Sequence, residues 1–265
     1  MSEVLSESEI QNLLDALSGD DDINEELERL EIAKIRNENS ILQYEFDQYA
    51  LECKSALDLA MVRIQNARRM IVADPLRYDP FDRIEGRIKT FDSTIKKCSR
   101  KNYDLTIEEI KKNIKDIAGI RIITIFRDEI NKVADLIAKI PGLSIVSRED
   151  YIDNPKANGY SSLHLEVQVE IYSPSEGSKL IPIEIQIRDK SMNLWASVEH
   201  IVKYKKKDHD PKAEAYFKKM AEILTQFDEV AMNLRDYDGV VGSNKESSTS
   251  LANRLSVSSI KSPAF

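Results

Sequence analysis

Cysteine is scarce in this chain. Cys53 and Cys98 are the two in 265 residues, and they form no CxxC pair. A disulfide framework is therefore not expected, and the reduced thiols of a cytoplasmic protein are the natural reading. Histidine is nearly as scarce: His164, His200 and His209 are its three occurrences, at no spacing that suits zinc. No stretch approaches the ~18 apolar residues of a membrane span. The acidic N-terminus lacks a basic region followed by an apolar stretch, so no secretory signal is expected. No segment repeats. What remains is a chain long enough for one main domain plus appendages, and its hydrophobic content of 42% is enough for a core.

Acid, by contrast, is in excess, but unevenly. The formal net charge is −8, yet residues 1–31 alone hold eleven acidic side chains against one basic, Arg29, which leaves the remainder close to neutral. Residues 77–121 carry twelve Lys and Arg against eight Asp and Glu. Such a locally basic region suits either a mixed solvated surface or a polyphosphate ligand.

Residues 5–18 carry a compact helix signature. Ser6 and Glu9 form a capping box, Leu5 and Ile10 a hydrophobic staple, and Ile10, Leu13, Leu14 and Leu17 follow at helical spacing before Gly19. Asp20, Asp21 and Asp22 end it, and 1–22 reads as an acidic peptide that orders on a partner. One or two helices are expected over 23–75, with Pro75 and Pro80 marking the boundary of a central domain at 76–207. In that domain Thr106 and Glu109 cap a helix over 107–118, and Gly119 turns the chain into a strand at 120–126. A helix at 128–139, strands at 143–146, 162–171 and 180–188, and a helix at 190–205 follow. A further helix lies within 208–238, and the Ser-rich stretch 239–265 reads as a disordered tail. The fold class expected is α/β of the α+β kind, a mixed sheet flanked by helices with helical extensions at both ends.

Strand periodicity locates the chemistry. In 180–188, Ile181, Ile183, Ile185 and Ile187 share one face, and Glu184, Gln186 and Arg188 the other. In 162–171, Leu163, Leu165, Val167 and Val169 share one face while Ser162, His164, Glu166 and Gln168 oppose them. The polar face is either a solvated sheet surface or a site. If it is a site, Glu184 is the first candidate, because a carboxylate on a rigid strand can hold Mg²⁺ or take a proton from a hydroxyl. Lys156-Ala157-Asn158-Gly159-Tyr160 precedes these strands, and Asn158-Gly159 is a turn that presents Tyr160.

Five ordered segments resemble one family. They are Gly86-Arg87-Ile88-Lys89 with Ser93 and Lys97; Asp116-Ile117-Ala118-Gly119-Ile120-Arg121; Lys156 through His164; Ile183 through Arg188; and Trp195-Ala196-Ser197-Val198-Glu199-His200. Together, over about 77–207, they resemble the synthetase domain of the RelA/SpoT family, most closely the small alarmone synthetases. The resemblance implies a nucleotidyltransferase-like fold and pyrophosphoryl transfer from ATP to the 3′-hydroxyl of GDP or GTP, with AMP released and guanosine tetra- or pentaphosphate formed. It makes Asp116 and Glu184 the catalytic pair and the ligands of Mg²⁺. It places Arg87, Lys89, Ser93, Lys97 and Arg121 on ATP. Lys156, Asn158, Tyr160, His164, Gln186 and Glu199 fall on the acceptor nucleotide, with the Tyr160 ring stacked on guanine.

The family's long members hydrolyse the product at an N-terminal His-based metal site. No His precedes His164 here, so hydrolysis is not expected. A homotetramer is the implied assembly, and neither membrane nor DNA is an expected partner. Residues 3–17 also resemble the N-terminal peptide of the flagellar motor switch protein. That makes a phosphorylated chemotaxis response regulator an expected partner of residues 3–18. Three positions depart from the family pattern. Ser161 stands where a basic residue is common, Asp189 where Thr is usual, and Ile201 where a basic residue often follows Glu-His. Each removes positive charge or adds negative charge near the expected acceptor side. The same motifs therefore also admit a toxin-like relative acting on adenosine nucleotides or the 3′ end of tRNA, or a non-catalytic nucleotide sensor.

Overall fold

The computed structural model describes residues 29–35, 40–73, 78–174, 176–205 and 211–238. The capped helix expected at 5–18, the His209-Asp210 pair and the stretch 239–265 lie outside the described residues. After a short helix at 29–35 come α1 (Ser40–Val72), β1 (Phe81–Ile88), α2 (Phe91–Lys101), α3 (Ile107–Asn113), β2 (Ala118–Thr124), α4 (Glu129–Ala138), β3 (Leu143–Asp150), β4 (Leu163–Ser173), β5 (Gly177–Asp189), α5 (Lys190–Lys205) and α6 (Pro211–Asp238). The five strands make one mixed sheet in the order β1-β2-β5-β4-β3, in which β2 and β5 run parallel and every other pair antiparallel.

The alternation in β4 and β5 holds as expected: Leu163, Leu165, Val167, Val169, Ile181, Ile183, Ile185 and Ile187 are all buried. Helices α1 to α4 cover that face in one continuous apolar cluster. Along α1 the buried positions Leu42, Phe46, Tyr49, Cys53, Ala56, Leu57, Ala60 and Ile64 follow helical spacing. The small side chains among them, Cys53, Ala56 and Ala60, let a long helix lie close against the strands.

Two elements differ from expectation. The helix opened by Thr106 ends at Asn113, so Asp116 sits in a turn and not at a helix end. Thr106 does cap it, accepting from Glu109 N–H at 3.2 Å. Ile114 and Ile117, beyond the helix end, are buried because the chain bends there to start β2, and Lys89 N–H bonds to Ile117 O at 2.8 Å. The second difference is β1, a strand that the sequence pattern does not announce. Arg87 lies on this edge strand, and α2 begins only after Thr90, whose hydroxyl accepts from Ser93 N–H. A register shift between Phe81 and Arg83 breaks the two-residue period that would have marked the strand.

A second, smaller apolar cluster joins α5 to α6. Met192, Trp195, Phe217 and Ala221 form it, and Trp195 Nε1–H donates to Phe217 O at 2.9 Å. Beneath it lies a buried acid pair. Asp189 is 1% exposed and Asp228 4%. Asp189 caps α5, accepting from Met192 N–H at 2.8 Å, and Ser191 Oγ–H donates to Asp228. Burial raises both carboxyls, and the charge of Asp189 helps push Asp228 up to about 6. Glu129 is pushed up to about 7 by burial, although Phe126 N–H donates to it at 3.0 Å.

Asp228 and Glu129 bind protons more tightly in the folded than in the unfolded chain, where carboxyls titrate near 4. Their contribution is present below that value and is lost as pH rises through about 6 and about 7. Stability measured by denaturant unfolding is expected to fall between pH 5 and pH 8. Asp228→Asn, which still accepts from Ser191 and can donate to Asp189, is expected to flatten the lower part of that slope and to be the more stable protein at pH 8.

Candidate functional site

The strand registers assemble the polar face in two rows. Arg87, Gly119, Glu184 and Glu166 lie side by side across β1, β2, β5 and β4. The next row is Glu85, Arg121, Gln186, His164 and Glu149, reaching β3. Gly119, lacking a side chain between Arg87 and Glu184, leaves the floor open. A cavity of about 350 Å³ results, lined by Glu85, Arg87, Asp116, Arg121, Glu184 and Gln186 among others.

Asp116 enters this cavity from the turn before β2. Lys97 Nζ donates to its Oδ1 at 2.8 Å and Lys89 Nζ lies 3.0 Å from Oδ2. Burial alone would raise this carboxyl, but Lys97 and Lys89 outweigh it and hold it below the usual carboxylate range. Helix α2 supplies Lys97 and the segment before its cap supplies Lys89, so both lysines converge on one acid from the same side. Glu184 is treated alike. Burial raises it and nearby Asp116 adds to that, yet His164 and Gln186 prevail and keep it ionised. His164 Nδ1 lies 3.3 Å from Glu184 Oε1, and Gln186 Nε2–H donates to Oε2 at 2.7 Å.

Beyond His164 stands Tyr160, whose hydroxyl is 2.9 Å from His164 Nε2. The Asn158-Gly159 turn presents it as expected. Asn158 Oδ1 accepts from Tyr160 N–H at 3.1 Å, and Lys156 N–H bonds to Tyr160 O at 3.0 Å. Gly159 has φ +89°, and a Cβ there would lie 2.6 Å from the Ala221 Cβ on α6. The loop is thus pressed on α6, and Tyr160 packs against the Trp195 cluster. Lys156 Nζ lies 4.5 Å from the centre of the Tyr151 ring and 5.0 Å from that of Tyr160.

Of the residues expected in the site, Arg87, Asp116, Arg121, Glu184 and Gln186 line the cavity. Lys89 and Lys97 meet it at Asp116 and His164 meets it at Glu184, with Tyr160 behind His164. Lys156 lies against Tyr151 and Tyr160 and lines a separate cavity beside α6. Asn158 and Glu199 meet each other at 2.9 Å, tying the loop to α5. Ser93 is exposed in the first turn of α2, where its Oγ accepts from Thr90 Oγ1 at 2.9 Å, and it does not line the cavity.

Tyr151 and Arg188 went unassigned in the sequence. Tyr151 meets His164 edge-on at 5.2 Å. Arg188 had the right strand parity, but its burial comes from the fold. Two departures from the pattern also take on a different meaning. Asp189 faces Asp228 under α6 and caps α5, which Thr would do as well. Ser161 is buried with its Oγ 3.5 Å from an Arg127 guanidinium nitrogen. Neither adds negative charge to the open cavity.

Residues 86–209 match the family model described as the region found in RelA / SpoT proteins. The GTP pyrophosphokinase YwaC of Bacillus subtilis is 34% identical over 198 residues, which span 74% of this chain and 89% of that protein. The GTP pyrophosphokinase YjbM of the same organism is 30% identical over 192 residues, 72% of this chain and 89% of its own. Among solved structures, the small alarmone synthetase 1 of Bacillus subtilis bound to its product pppGpp superposes with a TM-score of 0.66 at 29% identity, covering 72% of this chain and 97% of that one.

The positive φ and the Ala221 contact make Gly159 a sharp test of the loop. Gly159→Ala is expected to lower stability by about 1–3 kcal/mol. Adding Ala221→Gly should recover only the steric part, as read from denaturant midpoints.

Proposed function

This chain belongs to the RelA/SpoT family, and from that premise we propose that it transfers pyrophosphate from ATP to the 3′-hydroxyl of GDP or GTP. The observation that carries this reading is one cavity lined by two ionised carboxylates, Asp116 and Glu184, with Arg87 and Arg121 beside them, Lys89 and Lys97 paired to Asp116, and the Tyr160 ring linked to Glu184 through His164. ATP phosphates would lie against the basic side from β1 and α2, and the acceptor base against Tyr160. The acceptor 3′-hydroxyl attacks the β-phosphorus, the bond to the α-phosphate oxygen breaks, and AMP leaves with that oxygen. Glu184, ionised and fixed by His164 and Gln186, is placed to accept the hydroxyl proton. Positioning and charge neutralisation supply most of the acceleration.

The donor set fits magnesium. Among the described residues no cluster of three or more His, Cys, Asp or Glu could hold a metal by itself. Two carboxylates whose shell is completed by substrate phosphates is the arrangement Mg²⁺ favours. Asp116 and Glu184 are the residues that would hold it, and when bound it would neutralise charge on the phosphates and the leaving group. Lys89 and Lys97 balance Asp116 in the absence of nucleotide and are within reach to turn to phosphate when ATP enters.

The test is incubation of purified protein with Mg²⁺, labelled ATP and, separately, GDP, GTP, further ATP or tRNA. Transfer to GDP or GTP is expected, with kcat reduced by about 10²-fold or more in Glu184→Gln. Transfer confined to ATP or to tRNA would replace this reading with a toxin-like one, and no transfer to any acceptor would favour a nucleotide sensor.

Two further readings rest on other segments. Ile223, Phe227, Val230, Leu234 and Tyr237 are exposed on α6 at alternating four- and three-residue spacing, the pattern of a helix–helix seam. This supports assembly into a homotetramer through the terminal helices. Phe227→Glu with Val230→Lys is expected to yield smaller particles by light scattering, and an unchanged mass would remove α6 from the interface. The acidic peptide 3–18 is the segment proposed to bind a phosphorylated response regulator. No described helix is long and apolar enough to cross a membrane, which supports a cytoplasmic location.

A further inference from the structure

Arg188 is 3% exposed, and its Nε has no hydrogen-bond partner. No Asp or Glu lies within ion-pair distance of it among the described residues; burial, Arg121 and Arg87 oppose its charge, and Tyr160 and the more distant Glu184 favour it. A buried guanidinium without a carboxylate costs stability, and an apolar side chain of similar volume would cost less. Its retention here is therefore not explained by the core.

Its contacts point elsewhere. One terminal nitrogen donates to Gln186 Oε1 at 2.6 Å, and the same amide donates through Nε2 to Glu184 Oε2 at 2.7 Å. Only one of the two amide orientations satisfies both neighbours, so Arg188 decides which way Gln186 points. On the other side of Glu184 stands His164. Its Nδ1 faces the Glu184 carboxylate at 3.3 Å and its Nε2 lies 2.9 Å from the Tyr160 hydroxyl, so one imidazole ties the carboxylate to the ring. The chain closes on itself, because the Arg188 guanidinium carbon lies over the Tyr160 ring, 5.7 Å from its centre. Arg188, Gln186, Glu184, His164 and Tyr160 thus form a ring of side chains in which each holds the next.

We infer that Arg188 is a positioning residue that couples the seating of the acceptor base on Tyr160 to the orientation of Glu184. It rests on the reading of Tyr160 as the acceptor platform and Glu184 as the reacting carboxylate. The same guanidinium supports the Tyr160 ring and, through Gln186, aims the carboxylate. A base pressed onto that ring therefore acts on both ends of the chain at once. The parity of β5 explains how: Glu184, Gln186 and Arg188 are successive residues on one face, reaching from the cavity to the loop.

The experiment uses the full chain with Arg188→Gln and Arg188→Lys, each alone and combined with Tyr160→Phe, which keeps the ring and removes the hydroxyl. Pyrophosphate transfer is measured with ATP and the acceptor separately varied. Trp195, the one tryptophan, lies 5.9 Å from the Tyr160 ring and reports acceptor binding by fluorescence. Expected is a fall in kcat of about tenfold or more in Arg188→Gln with a raised acceptor KM and an ATP KM changed less than about twofold. Arg188→Lys keeps the charge without the planar fork and should recover the acceptor KM better than kcat. Combination with Tyr160→Phe should cost less than the product of the single effects, since both open one ring.

A matching rise in ATP KM would overturn the inference by making Arg188 a phosphate ligand. Multiplicative effects of the two changes would also overturn it. Should the Arg188 variants fail to fold, Gln186→Leu breaks the same link, and a normal kcat there overturns the inference equally. A wild-type protein that transfers to no acceptor sinks the proposed reaction itself, whereas an active wild type with an unaffected Arg188→Gln sinks only the role of Arg188.

Discussion

Parallel pairing of β2 with β5 is the constraint on which the site depends. The two strands are far apart in sequence, and their register sets Gly119 beside Glu184 and Arg121 beside Gln186. A slip of one residue would turn Glu184 to the isoleucine face and bury an unpaired charge. What prevents the slip is the opposite face. Ile120, Ile122, Ile183, Ile185 and Ile187 are all buried under helices α1 to α4. The apolar side of the sheet therefore fixes the geometry of the polar side. The cavity is open because Gly119 contributes no side chain to its middle and because Asp116 arrives from a turn and not along a strand.

Around that floor the charges are balanced in pairs that a ligand can rearrange. Asp116 is held by two lysines, and Glu184 by an imidazole and an amide, so both acids stay ionised despite burial. The cations are less settled. Arg121, in the cavity wall, keeps a buried Nε that has no hydrogen-bond partner among the described residues. A site built for stability would pair that group. One built for a polyphosphate leaves donors waiting, because the ligand brings the acceptors with it.

How much could be read from the sequence depended on which force set each element. The alternation of isoleucine in β5 and of Leu and Val in β4 is a local pattern, and it correctly gave the faces that carry Glu184, Gln186 and His164. The Asn158-Gly159 turn is equally local, and the loop has the expected form. β1 escaped notice because an edge strand tolerates charge on both sides and a bulge at its start spoils the period. Asp116 was identifiable only through resemblance, since nothing in its neighbours distinguishes it from a surface acid. Arg188 lay on the correct face, but only the folded loop over β5 reveals that it is buried and tied to Tyr160. Asp189 looked like added negative charge near an acceptor. Its partner Asp228 is 39 positions away on α6, and no local reading could pair them.

Helix α6 therefore belongs to the site even though it carries none of its chemistry. Ala221 limits the loop at Gly159, Phe217 holds Trp195, and the Trp195 cluster backs Tyr160. The buried Asp189–Asp228 contact lies at the same junction and opposes it electrostatically whenever both acids are ionised. Tyr160 packs on that junction and meets His164, which faces Glu184. The packing of α6 against the loop therefore sets where the ring stands and, through one imidazole, bears on how the carboxylate is held.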